Sequence, residues 1–477
     1  MVTNDGVTIL DEMQIEHPAA KMMVEIAKTQ EKEVGDGTTT SVMIAGKLLE
    51  NAEKLLDKKI HPTVIVKGYR MAQAKIHEIL EEISFKITEG NREVLKQIAI
   101  TAMTGKGAED EKERFSEILV EAVKLAEVKN KSDAEGIKIE KIVGKGIKDT
   151  ELIKGIIIDK ERISKDMPEI VENAKILLVD FPIELKSPEI ETKNSISSHS
   201  ELQNFLDEEE KSIKIMVGRI VSSGANVLFC QKGIDDFARY LLSKAGIYAC
   251  RRVAKGDIDK LSKATGSKIV SNINEVDPSI LGEAKTVQET KKGGEPMTYI
   301  NGCKNPKAIT ILIYGGTIHV VDEVKRALVD GLLDIASSIE TGLIVPGGGA
   351  IEMELSKRLR EFGQTLSGRE RLAVEEYANA LEFIPVTLAE NAGLDPIDIL
   401  TELRGRHDSG DMNAGLNLFT NKIENMISSR IIEPAKIKFQ AIDSATDVAT
   451  MILRIDDIIA SKPSKRGRMN GLGNLPD

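Results

Sequence analysis

The chain has no tryptophan, and aromatic residues make up only 3% of it, while Lys and Glu are abundant. That leaning occurs in heat-adapted proteins, where surface ion-pair networks gain value as temperature rises. Cysteine is scarce as well. Cys230, Cys250 and Cys303 are far apart, odd in number and not spaced as metal ligands, so they read as reduced core residues of an intracellular protein. No stretch approaches the run of about 20 apolar residues that spans a bilayer. The opening MVTNDGVTIL lacks the basic start and apolar centre of a signal peptide. A basic face is missing too, since the formal net charge is -11, which argues against a general nucleic-acid binder. The six histidines, at 17, 61, 77, 199, 319 and 407, form no ligand spacing, and a metallo-hydrolase of the His-Glu-x-x-His kind is unsupported. Residues 224–233 hold no dinucleotide fingerprint, and Ser197-Ser198 lacks a nucleophile-elbow context. The expectation is a cytoplasmic protein with no membrane and no nucleic-acid partner.

What is present is length and a change of texture. At 477 residues the chain exceeds what one hydrophobic core usually supports, so two or three domains are expected. The first third is helical. Pro18 opens a helix to Glu33 with Met22, Met23, Ile26 and Ala27 on one face. Thr38 to Leu56 is a second, with Val42, Ala45, Leu48, Leu49 and Ala52 on one side. Pro62 starts a third that runs to about Ile83, and helical patterns follow over 92–103 and 112–127. After about residue 137, short Ile- and Val-rich runs read as strands: Lys138–Ile142, Gly155–Asp159 and Ile176–Asp180. From 212 to 270 strands and helices alternate. A helix runs through Val217, then come Asn226–Cys230, a helix near Asp235–Lys244, Gly246–Arg251 and a helix from Asp257, the pattern of an α/β layer. Ala308–Tyr314 is a further strand, followed by a helix from Thr317 to Ser338. The end returns to helix over Ala350–Glu361, Arg369–Ala392 and Asp443–Ile459. The order helical, mixed, helical suggests a discontinuous helical domain built from both chain ends, with an α/β domain inserted between them.

Three glycine-containing turns stand beside helical segments. Thr3-Asn4-Asp5-Gly6 reads as a tight turn, because Asn-Asp-Gly readily reaches positive φ. Gly35-Asp36-Gly37-Thr38-Thr39-Thr40 lies directly before the second helix. Glycines let backbone approach a ligand, and a helix start offers unpaired N–H groups that attract phosphate. Asp36 would repel a bare anion, but it suits a divalent metal arriving with phosphates. The alternative is a helix cap and no more. No Gly-Lys-Ser/Thr follows, so the segment is not a Walker A loop. Pro346-Gly347-Gly348-Gly349 precedes the helix from Ala350. Three successive glycines are costly in chain entropy and suit either close passage of backbone past a flat ligand or a domain hinge.

Taken together these segments resemble the thermosome and the related cytosolic eukaryotic chaperonins, the group II chaperonin family. Val2-Thr3-Asn4-Asp5-Gly6-Val7-Thr8-Ile9-Leu10 with Glu16-His17-Pro18-Ala19-Ala20-Lys21 carries much of the likeness, as does Gln30-Glu31-Lys32-Glu33-Val34-Gly35-Asp36-Gly37-Thr38-Thr39. Thr104-Gly105-Lys106-Gly107-Ala108, Gln231-Lys232-Gly233-Ile234-Asp235-Asp236, Leu388-Ala389-Glu390-Asn391-Ala392-Gly393-Leu394-Asp395 and Leu453-Arg454-Ile455-Asp456-Asp457 extend it along the chain. The resemblance implies a multidomain α and α/β fold in three domains. These are a mostly helical equatorial ATP-binding domain (1–88 and 347–477), a small α/β intermediate hinge domain (89–156 and 306–346) and an α/β apical substrate-binding domain (157–305). A helical lid protrusion is implied at about 185–213, including Leu202, Phe205 and Leu206.

It also implies site roles. Asp36 matches a magnesium ligand, and Gly37, Thr38, Thr39 and Thr40 a phosphate cradle. Asp5 and Asp330 match the carboxylates that orient the attacking water. Lys106, after Gly105, matches a sensor of the γ-phosphate. Gly348 and Gly415 match backbone contacts to nucleotide, and Glu433 a ribose contact. The implied activity is Mg²⁺-dependent ATP hydrolysis by a subunit of a double-ring chaperonin that encloses unfolded polypeptides, in a homo- or hetero-oligomer. Two departures qualify this. Family members carry some tens of residues before the Asn-Asp-Gly turn, including a Leu-Gly-Pro-x-Gly segment that wraps the phosphates, whereas Met1 here stands directly before that turn. Loss of that segment would weaken ATP binding and leave strand-pairing edges unfilled, so the expectation includes a truncated or non-catalytic ring subunit that binds clients without turnover. Gly331 also follows Asp330 where the family usually has Ala, which is expected to loosen the helix holding that carboxylate.

Overall fold

In the computed structural model the described residues are 6–87, 91–184, 199–292, 295–303 and 308–456. They pack as two compact units. Of these, one comprises Phe85–Val345 with Arg430–Lys436, and the other 6–84, Pro346–Ser429 and 437–456.

The second unit is helical and made of both chain ends, as the sequence order suggests. Its helices are Gly6–Glu12, Pro18–Glu33, Thr38–Asp57, Pro62–Ile83, Ala350–Thr365, Glu370–Leu381, Phe383–Asn391, Pro396–Asp408 and most of Ala435–Ile452, with a hairpin of Ala414–Asn417 and Lys422–Asn425. Pro18 and Pro62 each occupy the first turn of their helix, where a missing N–H costs nothing. Two of the few aromatic residues sit at the centre of this unit. Tyr69 and Tyr377 meet edge to face at 5.6 Å, and each buried hydroxyl finds a partner, Leu48 O at 2.7 Å for Tyr69 and Thr446 Oγ1 at 2.6 Å for Tyr377. The buried stripe of the Thr38 helix runs through Ile44, Ala45, Leu48, Ala52 and Leu55. It is rotated from the expected face, so that Val42 and Leu49 are only half-buried.

The first unit holds three sheets. Phe85–Lys86, Leu343–Pro346 and Ile432–Pro434 form one; Lys138–Val143, Thr310–Gly315 and Glu151–Ile153 form the second. The third has seven strands. Gly155–Ile158, Glu295–Cys303, Gly282–Lys292, Ile170–Val179, Val227–Cys230 and Tyr248–Cys250 lie in that order, and Ile269–Val270 pairs beside Ile170–Val179. Where the pairing turns parallel, side chains are buried on both faces, as parallel strands require. Ile176, Leu178, Val227, Phe229, Tyr248 and Cys250 pack one way with Ile258 and Leu261 of the Lys255–Thr265 helix. Leu177, Val179, Leu228, Cys230 and Ala249 pack the other way with Ile213, Val217, Ala238 and Leu242. All three cysteines are free thiols, and burial pushes Cys303 up to about 11 and Cys230 up to about 12.

Several expected boundaries shift. Arg369–Ala392 is two helices, Glu370–Leu381 and Phe383–Asn391. The last helix begins at Ala435, eight residues before Asp443; Ala435, Ile437, Phe439 and Ala441 alternate with polar residues, so the sequence there hides its helical start. The strand read as Ile176–Asp180 extends back to Ile170, over a stretch where only Val171 and Ala174 are buried. Residues 185–198 of the expected protrusion lie outside the described residues, as do the side chains of Leu202, Phe205 and Leu206. From His199 to Ser222 the chain is helix. Among the described residues, no helix is long and apolar enough to cross a membrane.

Candidate nucleotide site

In the helical unit the segment from Val34 to Gly37 links two helices. Gly35 and Gly37 have φ of 91° and 77°, the left-handed region that favours glycine. Gly37 caps the Thr38 helix, and its carbonyl accepts the Ser41 N–H at 3.0 Å. Ser41 in turn donates its hydroxyl to Thr38 O at 2.8 Å. The N–H groups of Thr38, Thr39 and Thr40 come before the first intrahelical donor, Ser41, and point out of the helix start. Thr38 is buried, Thr39 exposed, and Asp36 and Thr40 lie between. A helix start of this kind with two hydroxyls and a carboxylate beside it can take phosphate together with a cation. The first glycine turn joins it, since a Cβ on Gly6 would stand 2.6 Å from Thr39 Oγ1 and 3.4 Å from Thr38 Oγ1. Asp5 lies outside the described residues.

Gln30 supports this loop, and the sequence reading assigned it no role. It is fully buried on the stripe of Ile26 and Ala27, and its Nε2 donates to Asp36 O at 2.9 Å and Ile437 O at 3.2 Å. A glutamine at an apolar helix position was the available signal. Gln30→Leu is expected to cost about 1–3 kcal/mol, the loss of two buried acceptors' partner. Thermal unfolding reads it, and an unchanged midpoint would show that the loop holds its shape unaided.

The triple-glycine segment and Gly415 are brought together. Gly348 and Gly349 have φ of 63° and 77°. Leu416 N–H donates to Gly348 O at 2.8 Å. A Cβ on Gly415 would stand 2.9 Å from Gly347 O and 3.0 Å from Gly348 O, and one on Gly348 would stand 2.8 Å from Leu416 O. Hairpin and loop therefore touch backbone to backbone. The Phe383–Asn391 helix packs on both the Thr38 helix and the Ala350 helix, and its Pro385 lies against Gly349.

In the other unit Thr104-Gly105-Lys106 follows the Arg92–Met103 helix. Gly105 has φ of 75°, and its N–H donates to Glu109 Oε2. Burial pushes the Glu109 carboxyl up, but Lys112 at 2.6 Å and that N–H outweigh it and hold Glu109 below the usual carboxylate range. Lys106 Nζ reaches Asp330 Oδ2 at 2.7 Å, with both side chains about a quarter exposed. Asp330 stands on the Ile318–Thr341 helix. The glycine after it lies within that helix. Gly331 is buried at a crossing with two other helices, where a Cβ would stand 3.0 Å from Leu119 Cδ1 and 3.7 Å from Ala99 O. Glu433 is half-buried in the strand Ile432–Pro434 of the same unit.

Among the described residues no three His, Cys, Asp or Glu side chains form a metal cluster.

Comparison with known proteins agrees with this fold. The sequence model of the TCP-1/cpn60 chaperonin family matches residues 1–463. The thermosome subunit of Methanopyrus kandleri is 53% identical over 466 residues, 97% of this chain and 86% of that one. Thermosome subunit beta of Archaeoglobus fulgidus is 52% identical over 482 residues, 100% of this chain and 88% of that one. The open-state monomer of a group II chaperonin from Methanococcoides burtonii superposes with a TM-score of 0.67 at 48% identity, covering 88% of this chain and all of that one. With the family matched over nearly its whole length, this chain belongs to the TCP-1/cpn60 chaperonin family as a group II chaperonin subunit.

Proposed function

We propose that the chain is an ATP hydrolase subunit of a stacked double ring that binds unfolded polypeptides and encloses them for folding. The left-handed glycine cap at Gly37, with threonine hydroxyls and Asp36 at one helix start, is the observation that carries it. Alpha and beta thermosome subunits of one organism, Archaeoglobus fulgidus, are each 52% identical to this chain, which supports an assembly of related subunits. The proposed domains are equatorial (1–88 and 347–477), intermediate (89–156 and 306–346) and apical (157–305).

Phosphoryl transfer needs positioning and charge compensation more than covalent chemistry. Gly37 and Thr38 to Thr40 hold phosphate oxygens, Gly348 and Gly415 bring backbone to the nucleotide, and Glu433 takes the ribose. Asp36 holds Mg²⁺, which when bound neutralises phosphate charge. Asp330 and Asp5 orient the attacking water. Lys106 reads the γ-phosphate, because a phosphate oxygen competes with Asp330 for its ammonium.

The test is nucleotide binding with and without magnesium. Asp36→Ala is expected to weaken Mg-ATP binding by about 10-fold or more, the loss of one charged ligand, while metal-free ATP binds as before. Equal Mg-ATP affinity in variant and parent would remove Asp36 from the site.

A further inference from the structure

The chain buries one histidine whose surroundings allow few proton arrangements. His407 lies in the last turn of the Pro396–Asp408 helix at 1% exposure, and Glu354 of the Ala350–Thr365 helix faces it at 2%. Each ring nitrogen meets an oxygen. Nδ1 is 2.9 Å from Glu354 Oε2, and Nε2 is 2.9 Å from Ala414 O.

Ala414 O has no proton to give, so Nε2 must be the donor there. At Nδ1 one further proton is shared between ring and carboxyl, and its place depends on what else touches Glu354. Arg358 Nε donates to Glu354 Oε1 at 2.8 Å. Arg358, a permanent cation on Oε1, leaves Oε2 as an acceptor, so the hydrogen bond at Nδ1 takes its proton from the ring. The C-terminal turn of a helix, with its unsatisfied carbonyls, also favours a cation. The other charged groups nearby do not reverse this. Lys357 Nζ is turned to His407 O at 2.6 Å, Arg358 is shared with Glu82 at 2.9 Å, and Asp408 and Asp411 flank the helix end.

We propose that His407 is a positioning residue that carries a proton on both ring nitrogens and ties the Ala414–Asn417 strand to the Ala350 helix. The strand it holds carries Gly415, whose neighbour Leu416 donates to Gly348 O. The Ala350 helix begins directly after Gly349. One imidazolium thus fixes both sides of the backbone contact between hairpin and glycine loop. Its effect on nucleotide rests on the role proposed above for Gly348 and Gly415.

Solid-state NMR of the sedimented, full-length assembly with ¹⁵N-labelled histidine tests the proton assignment at pH 7.5. The ring signals lost in His407→Gln are expected at the positions of two protonated nitrogens; a lost signal from an unprotonated nitrogen would overturn the proposal. Should His407→Gln fail to fold, Glu354→Gln gives the same answer, since it is expected to convert one histidine from two protonated nitrogens to one. No such conversion would count equally against it. Hydrogen exchange by mass spectrometry reads the tie itself. In either variant, residues 414–425 are expected to exchange at least 10-fold faster, with KM for ATP rising and kcat little changed. Unchanged exchange over 414–425 overturns the positioning role. Faster exchange with unchanged KM keeps that role and removes Gly415 from nucleotide binding instead.

Discussion

Asp330→Ala is expected to slow ATP hydrolysis by the assembled protein at least about 100-fold, the usual contribution of a positioned proton acceptor, while nucleotide affinity stays within a few-fold of the parent. The change is well suited to separate chemistry from folding. Asp330 stands in the middle of the Ile318–Thr341 helix with its side chain partly exposed, and alanine is the better helix former. Lys106, the partner it leaves behind, is exposed enough to be solvated. Steady-state phosphate release and equilibrium binding of ATP give the two numbers. If parent and variant release phosphate equally slowly, the catalytic reading fails, and the chain stands as a ring subunit that binds clients without turnover.

Gly37→Ala is expected to destabilise the protein by about 2–5 kcal/mol, combining left-handed strain with overpacking, and to weaken ATP binding with it. Its φ is 77°, and the added Cβ would lie 2.6 Å from Ile437 Cγ2 and 3.1 Å from Gln30 Nε2. Gly105→Ala is the matched comparison. Its φ is 75°, but a Cβ there meets no described atom within 4 Å, so only the strain of about 1–2 kcal/mol remains. Denaturant unfolding of both variants measures the difference. Equal losses would mean that packing around Gly37 is looser than described.

Much of the helical frame was legible because its signals are local. Pro18 and Pro62 start their helices where the sequence places them, and the long buried stripes after Thr38 and Thr317 have helical spacing. The Pro396–Asp408 helix was missed, although Asp395 caps it by accepting from Ile397 and Asp398 N–H groups and Pro396 follows. It buries little beyond Leu403 and His407, so no periodic stripe marked it. The hairpin around Gly415 was equally silent, because its strands, Ala414–Asn417 and Lys422–Asn425, are too short to show an alternating pattern.

In the candidate site, the glycine turns could be read from residue type. Their supports could not, because each depends on a partner far along the chain. Gln30 reaches Ile437 and His407 reaches Glu354. Apart from these turns, Glu382 is likewise buried, between Arg360, at 2.5 Å, and Arg404. Burial pushes the Glu382 carboxyl up, yet the two guanidinium groups outweigh it and keep it low. A charge in sequence reads as surface, and only tertiary structure shows it enclosed. The departure at Gly331 was visible, but its surroundings were not, since Leu119 and the Arg92–Met103 helix that face it lie far along the chain.

That crossing has a consequence for the acidic group beside it. With no side chain at residue 331, the helix that carries Asp330 lies directly against Leu119 and Met103. On the role proposed for Asp330, apolar packing at that crossing would bear on turnover from the hydrophobic interior, away from any phosphate.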